Sequence, residues 1–159
     1  MKQIPLTQGK FALVDDEDYE FLNQWKWCYQ IPGYAVRGIK KNGKTKIMIM
    51  HRVILKASRG TVLDHINGNG LDNRRSNLRI CTQQQNTRNS HKRRTSISSK
   101  HKGVHYSTKD QRWVTQIQQG GKRVHIGHFK SEHHAALAYD LWAHDLFDNF
   151  ARPNFQKAT

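Results

Sequence analysis

The chain has 159 residues, with 27 Lys and Arg against 12 Asp and Glu, a formal charge of +15. That length suits one ordinary domain or two small ones. It shows no apolar run long enough to span a bilayer and no secretory leader, so a soluble, intracellular protein with no membrane partner is expected.

Only Cys28 and Cys81 are present, without a Cys-x-x-Cys pair, which excludes a zinc ribbon on ligand count. Both are expected to be reduced packing residues. The charge is uneven. Acids crowd residues 15–20, none follows until Asp64, and none occurs again from Asn73 to Lys109. Arg74, Arg75, Arg79, Arg88, Lys92, Arg93, Arg94, Lys100, Lys102 and Lys109 accumulate in that last stretch. Such a field attracts a polyanion and speeds encounter with it.

In chain order, residues 4–14 read as a strand with a turn at Gln8-Gly9, and residues 15–24 as a short helix with acids in its first turn, where the helix dipole favours them. The acidic cluster reads as a cap and a solvated face, not a metal site. Residues 25–29 alternate as a strand. Residues 33–39 and 44–55 flank Lys40-Lys41-Asn42-Gly43, a hairpin signal, and residues 46–55 are apolar and β-branched enough to be strand throughout. Asn67-Gly68-Asn69-Gly70 supplies a tight turn. Thr82 with Gln85 three residues on is a capping-box pattern, so a helix is expected to start there with Asn86 in its first turn or so. Residues 90–99 are polar, basic and Ser-rich, and read as a linker running along a phosphate backbone. Beyond it, residues 102–107, 112–118 and 122–129 alternate as three strands. A helix follows, capped by Ser131, with Ala135, Ala138, Tyr139, Trp142 and Leu146 at helical spacing. Trp113, Ile117, Phe129, Ala135, Ala138, Tyr139 and Trp142 are expected in its core. His133 and His134, adjacent on a helix, point different ways and do not make a metal pair.

The chemistry concentrates in residues 64–86. Asp64-His65, Asn77 within Asn77-Leu78-Arg79, and Asn86 resemble the HNH nuclease motif, in the phage and mobile-element homing-type group that carries Asn in place of the last His. The resemblance implies a ββα-metal unit of two strands, an irregular loop and a helix. It implies that His65 is the general base, that Asn77 braces the motif and orients that base, and that Asp64 and Asn86 hold one divalent ion, Mg²⁺ or Mn²⁺. Oxygen ligands suit such hard ions, and a neutral imidazole can take a proton from water near neutral pH. The upstream pair His51-Arg52 also fits this group, without an assigned role.

In the last third, Lys102-Gly103-Val104, Trp113, Ile117, residues 126–129, residues 135–140 and Asn154-Phe155 resemble an AP2 DNA-binding domain. That family lays its sheet in the major groove. The positions matching its contacts are His105, Arg112, Gln116, Gln118, Arg123 and His125; histidines and a glutamine stand where Arg and Trp are usual, so the docking mode is implied and the target sequence is not. Gln reads adenine and Arg reads guanine or holds phosphate. Arg74, Arg75, Arg79, Arg88, Arg93 and Arg94 complete the expected DNA contacts.

The expected fold is therefore α+β. Residues 1–90 form the nuclease domain with its N-terminal strands and short helix, 91–100 a basic linker, and 101–159 a three-stranded antiparallel sheet plus helix. The expected activity is metal-dependent hydrolysis of double-stranded DNA, nicking from a monomer. A sequence-specific regulator with an inactive nuclease motif is the alternative, and a basic RNA-binding protein a third reading resting on charge alone.

Overall fold

A computed structural model describes residues 1–92 and 98–155. Contacts divide the chain into two units, residues 1–86 and 87–159.

The first unit opens with a hairpin of β1 (Lys2–Pro5) and β2 (Phe11–Val14), joined by a 3-10 turn at Thr7–Gly9. The stretch expected as one strand with a turn is thus two paired strands. Helix α1 (Asp16–Leu22) follows. Asp15 sits at its N-cap position, but its carboxylate does not cap the helix and instead accepts from the Arg75 backbone amide at 2.7 Å. The acidic run is therefore a bracket as much as a solvated face: Arg75 also pairs with Glu17 and with the buried Asp18.

The second sheet holds β3 (Cys28–Gln30), β4 (Tyr34–Lys41) and β5 (Lys44–Ile49), with Asn42-Gly43 turning the hairpin at positive φ. Strand β3 starts later than the Trp25–Tyr29 alternation suggests, because Trp27 is withdrawn into the core and donates its indole N–H to the Leu22 carbonyl. The apolar run 46–55 is also not one strand. It ends at Ile49 and turns into helix α2 (Met50–Ile54). Helical spacing lets Met50 and Ile54 enter the same core one turn apart, and that burial outweighs the β-branched composition.

Next comes β6 (Val62–His65), a loop, β7 (Leu78–Cys81) antiparallel to β6, and helix α3 (Gln83–Asn89). The N-terminal hairpin packs on this segment: Leu13 donates to the Leu71 carbonyl and Asn73 donates back to Leu13, both at 2.8 Å. Ile4, Val14, Leu22, Trp27, Met50 and Leu78 share one core.

The second unit is a sheet of β8 (Val104–Ser107), β9 (Arg112–Gln119) and β10 (Lys122–Phe129), order β10-β9-β8, with helix α4 (Glu132–Phe147) across one face. Val104 packs with Ala135 and Ala136, and Ile117 with Tyr139, Ala143 and Phe147. Thr115 donates its hydroxyl to the Ala135 carbonyl from within this contact. Ser131 holds the N-cap position without a side-chain bond. Trp142 was expected in the core and is 43 % exposed, because the inward stripe runs through 135, 136, 139, 143 and 147. Gly103 lies at φ +76, and a Cβ there would collide with the Tyr139 ring and the Gln116 carbonyl.

Candidate nuclease site and nucleic-acid interface

The β6–β7 register sets Asp64 opposite Arg79 and His65 opposite Leu78. Cross-strand partners share a face. Arg79 Nε and Nη2 both donate to Asp64 Oδ2, at 2.8 and 2.6 Å, and both side chains are largely buried. Cys81, two residues on and on the same face as Arg79, has its thiol beside both the Asp64 charge and the Asn86 backbone amide. Burial and the Asp64 carboxylate push that thiol upward, so it stays protonated and inert.

Helix α3 begins at a reciprocal cap. Thr82 N donates to Gln85 Oε1 at 2.8 Å, and Gln85 N donates to Thr82 Oγ1 at 3.2 Å. This is the capping box read in the sequence. Asn86 N donates to the Thr82 carbonyl, which puts Asn86 at the close of the first turn.

His65 is buried at the end of β6. It packs against His51 from α2, ring centroids 4.9 Å apart and planes at 88°, and both rings touch Tyr34 of β4. Burial lowers the proton affinity of His65, while hydrogen bonding to the buried Asn73 side chain and the charges of Asp64 and Asp72 work against that. His51 is pushed down to about 4, chiefly by burial and then by His65 and Arg52. Both imidazoles are therefore neutral at pH 7 and able to accept a proton. Gly70 lets the loop close on this group, since a Cβ there would strike Gly33 and the Tyr34 ring.

Asn77 ties the loop together. Its Oδ1 accepts from Asn67 N at 2.9 Å, and its Nδ2 donates to Asn67 Oδ1 and to the Asp72 carbonyl. Its own carbonyl accepts from Ile66 N, directly after His65. Asp72 accepts from Asn67 and from Arg74, and these contacts hold its carboxyl below the usual range.

In the second unit, alternation along β9 turns Thr115 and Ile117 to the helix and Arg112, Gln116 and Gln118 to the open face. Gln118 is paired with Arg123 and Gln116 with His125. His105 pairs with Val114 from the other side. A β-bulge between His125 and Gly127 then shifts the register so that His128 also pairs with Val114. In a regular strand, residues three apart face opposite ways; the bulge brings the His125 and His128 rings to 4.8 Å. The open face thus carries His105, Arg112, Gln116, Gln118, Arg123, His125 and His128 side by side. Its nearby acid is Asp110, held by Ser107 and 4.0 Å from His128.

Comparison with known proteins agrees with these two constructions. A family model described as HNH endonuclease matches residues 49–88, and an AP2 domain model matches residues 99–148. A protein of Acanthamoeba polyphaga mimivirus described as an uncharacterized HNH endonuclease is 33 % identical over 153 residues, covering 92 % of this chain and 76 % of the relative. The chain belongs to the HNH endonucleases. It is a nuclease that carries a DNA-binding AP2 domain.

Within this endonuclease the expected site residues are placed as follows. Arg79 meets Asp64 across the β6–β7 hairpin, His65 at the end of β6 lies against His51 and Tyr34, Asn77 ties the loop that follows, and Asn86 closes the first turn of α3. Arg74, Arg75 and Arg79 each hold a carboxylate, on Asp72, Asp18 and Asp64, so a phosphate contact by any of them competes with that partner. Arg88 lies over the Phe147 ring at 4.3 Å. Arg93 and Arg94 lie outside the described residues. Three contributors were missed in the sequence: Tyr34, Asn73 and His128. Tyr34 and Asn73 have no local signal, and His128 is found only once the bulge is known. Among the described residues no cluster of three His, Cys, Asp or Glu side chains could hold a metal ion, and no helix is long and apolar enough to cross a membrane.

Proposed function

We propose that this endonuclease nicks double-stranded DNA, acting as a monomer with a hard divalent ion, and that its AP2 sheet directs it to the duplex. The observation that carries the reading is a buried His65 that ends β6 directly after Asp64, with the loop that follows it tied down by Asn77. The order β6, loop, β7 and α3 supports the ββα-metal reading.

The donor chemistry fits Mg²⁺ or Mn²⁺. Asp64 offers a carboxylate oxygen and Asn86 an amide oxygen, both hard ligands, and an ion at Asp64 competes with the Arg79 guanidinium that holds Oδ2. Such an ion, when bound, supplies positive charge at the scissile phosphate and at the departing oxygen. His65 takes a proton from water as the oxygen attacks phosphorus. Asn77 keeps the loop after His65 from drifting, which holds the imidazole in one orientation. Arg112, Gln116, Gln118 and Arg123 face base edges or phosphates from the sheet.

The test is nicking of supercoiled plasmid with Mg²⁺ or Mn²⁺ against a chelator control, with duplex binding measured in parallel. His65→Ala is expected to bind DNA normally and to cut at least a hundredfold more slowly, the scale of a lost general base. Cutting at the wild-type rate by that variant, or by the wild type in chelator, would overturn the reading.

A further inference from the structure

Beside the AP2 sheet, the chain segment entering β8 and the segment leaving α4 enclose a cavity of about 380 Å³. His91, Lys92, Lys100, His101, Lys102 and Arg152 line it, and among the described residues no acid does. Among the described residues, none of Lys92, Lys100, Lys102 or Arg152 makes an ion pair with a carboxylate. The nearby acids are engaged elsewhere. Glu132 accepts from the Ser99 hydroxyl, and Asp140 accepts from Asn154 and the Phe155 amide.

The cations are instead held by neutral groups, in a built arrangement. Lys92 Nζ donates to the carbonyls of His101 and Val104, both at 2.8 Å. Lys102 Nζ donates to the carbonyls of Arg88 and Ser90. The always-charged Arg152 guanidinium donates to His91 Nε2 at 2.7 Å, so that imidazole is a neutral acceptor. Asn154 locks the wall by exchanging bonds with the backbone N–H and carbonyl of Lys102. Several positive charges are thus fixed around one opening by hydrogen bonds to neutral groups, with Glu132 acting on Lys92 without an ion pair, an arrangement that an anion completes.

This cavity continues onto the DNA face. Lys92 also lines an adjoining cavity of about 370 Å³ whose other walls include His105, Gln116 and Arg123, three of the side chains on the open side of the sheet. A basic track therefore runs from the open face, past Lys92, to Arg152.

We propose that the Lys92–Lys100–Lys102–Arg152 pocket binds a backbone phosphate of the DNA strand whose bases face the AP2 sheet. The proposal rests on the DNA-binding reading of that sheet and extends its footprint to the tail after α4. Burial and the Arg152 charge push Lys102 down to about 8, and a bound phosphate relieves that strain on its charge.

The experiment measures affinity of the full chain for fluorescent duplexes by anisotropy, in chelator, across a potassium chloride series. Arg152→Gln and Lys100→Gln are compared with the wild type, with Arg152→Lys as the charge-conserving rescue and Arg112→Gln as a control for the sheet. Each lost phosphate contact lowers the log–log salt slope by about 0.9. The expected result is a slope reduced by about one in each Gln variant, with an equal loss of affinity on unrelated duplexes, and recovery in Arg152→Lys. Should Arg152→Gln fail to fold by circular dichroism, Lys100→Gln, which is exposed, decides alone. Wild-type slope and affinity in the folded Gln variants overturn the pocket. If Arg112→Gln still weakens binding in that case, the sheet reading survives; if it does not, both fail. Retained duplex binding with loss of inorganic phosphate binding in Arg152→Gln, seen by ³¹P line broadening, would assign the pocket to a free anion and also overturn the proposal.

Discussion

His51 stands edge-to-face against His65, ring centroids 4.9 Å apart, although the end of α2, a loop and β6 lie between them in the chain. His51 is buried, its Nδ1 has no hydrogen-bond partner among the described residues, and its pKa falls to about 4. An unfolded histidine titrates near 6.5, so the unfolded chain binds more protons than the native one between about pH 6.5 and 4. Stability is therefore full above pH 6.5 and is lost as pH falls through that window. For His51 alone the loss approaches about 3 kcal/mol near pH 4, at 1.36 kcal/mol per pKa unit. Urea unfolding of the wild type and His51→Asn at pH 7.5 and 4.5 checks this. The variant is expected to be less stable at pH 7.5 and to lose much of that deficit at pH 4.5. A pH-independent difference would refute the account.

Arg79 and Asp64 form a buried pair between paired strands. Arg79→Met leaves the Asp64 charge uncompensated and is expected to cost about 3–5 kcal/mol, while Asp64→Asn with Arg79→Met recovers a large part of it. A double-mutant cycle by chemical denaturation measures the coupling. Additive single effects would show that the pair contributes nothing.

Asn77→Ala removes the side-chain bonds to Asn67 and Asp72 and strands the buried Asp72 carbonyl. The expected cost is about 1–3 kcal/mol for the unsatisfied group. Nicking should fall much further than duplex binding, because the loop also sets the His65 position. Equal losses of cutting and binding would mean that the residue acts on stability alone.

Thr82→Ala breaks the reciprocal cap that starts α3, at an expected cost of about 0.5–2 kcal/mol, and Thr82→Ser keeps it. Since Asn86 sits in the turn so released, Mn²⁺ affinity measured calorimetrically should weaken in the Ala variant and not in the Ser variant. Unchanged affinity in a frayed helix would remove Asn86 from the proposed ligand set.

Gly103→Ala forces a side chain into the Tyr139 ring at a backbone angle that only glycine holds at low cost. The thermal midpoint of the AP2 unit should drop by several degrees or more, as a loss of more than about 1 kcal/mol does in a small domain. A midpoint within one degree of the wild type would show that the sheet and helix can part there without loss.

Local chemistry carried much of this protein in plain view. The capping box of Thr82 and Gln85, the Asn42-Gly43 turn and the alternation of β9 depend on neighbours a few residues away, so the linear sequence determined them. Packing over long separations settled the rest. Met50 and Ile54 became helical because the core accepted them one turn apart. Asp15 and Asp18 went to Arg75, some sixty residues on. Arg79 went to Asp64 because strand register put them face to face, and a single bulge turned His128 to the side of His125. Those outcomes depend on register and burial, quantities that exist only once distant segments meet.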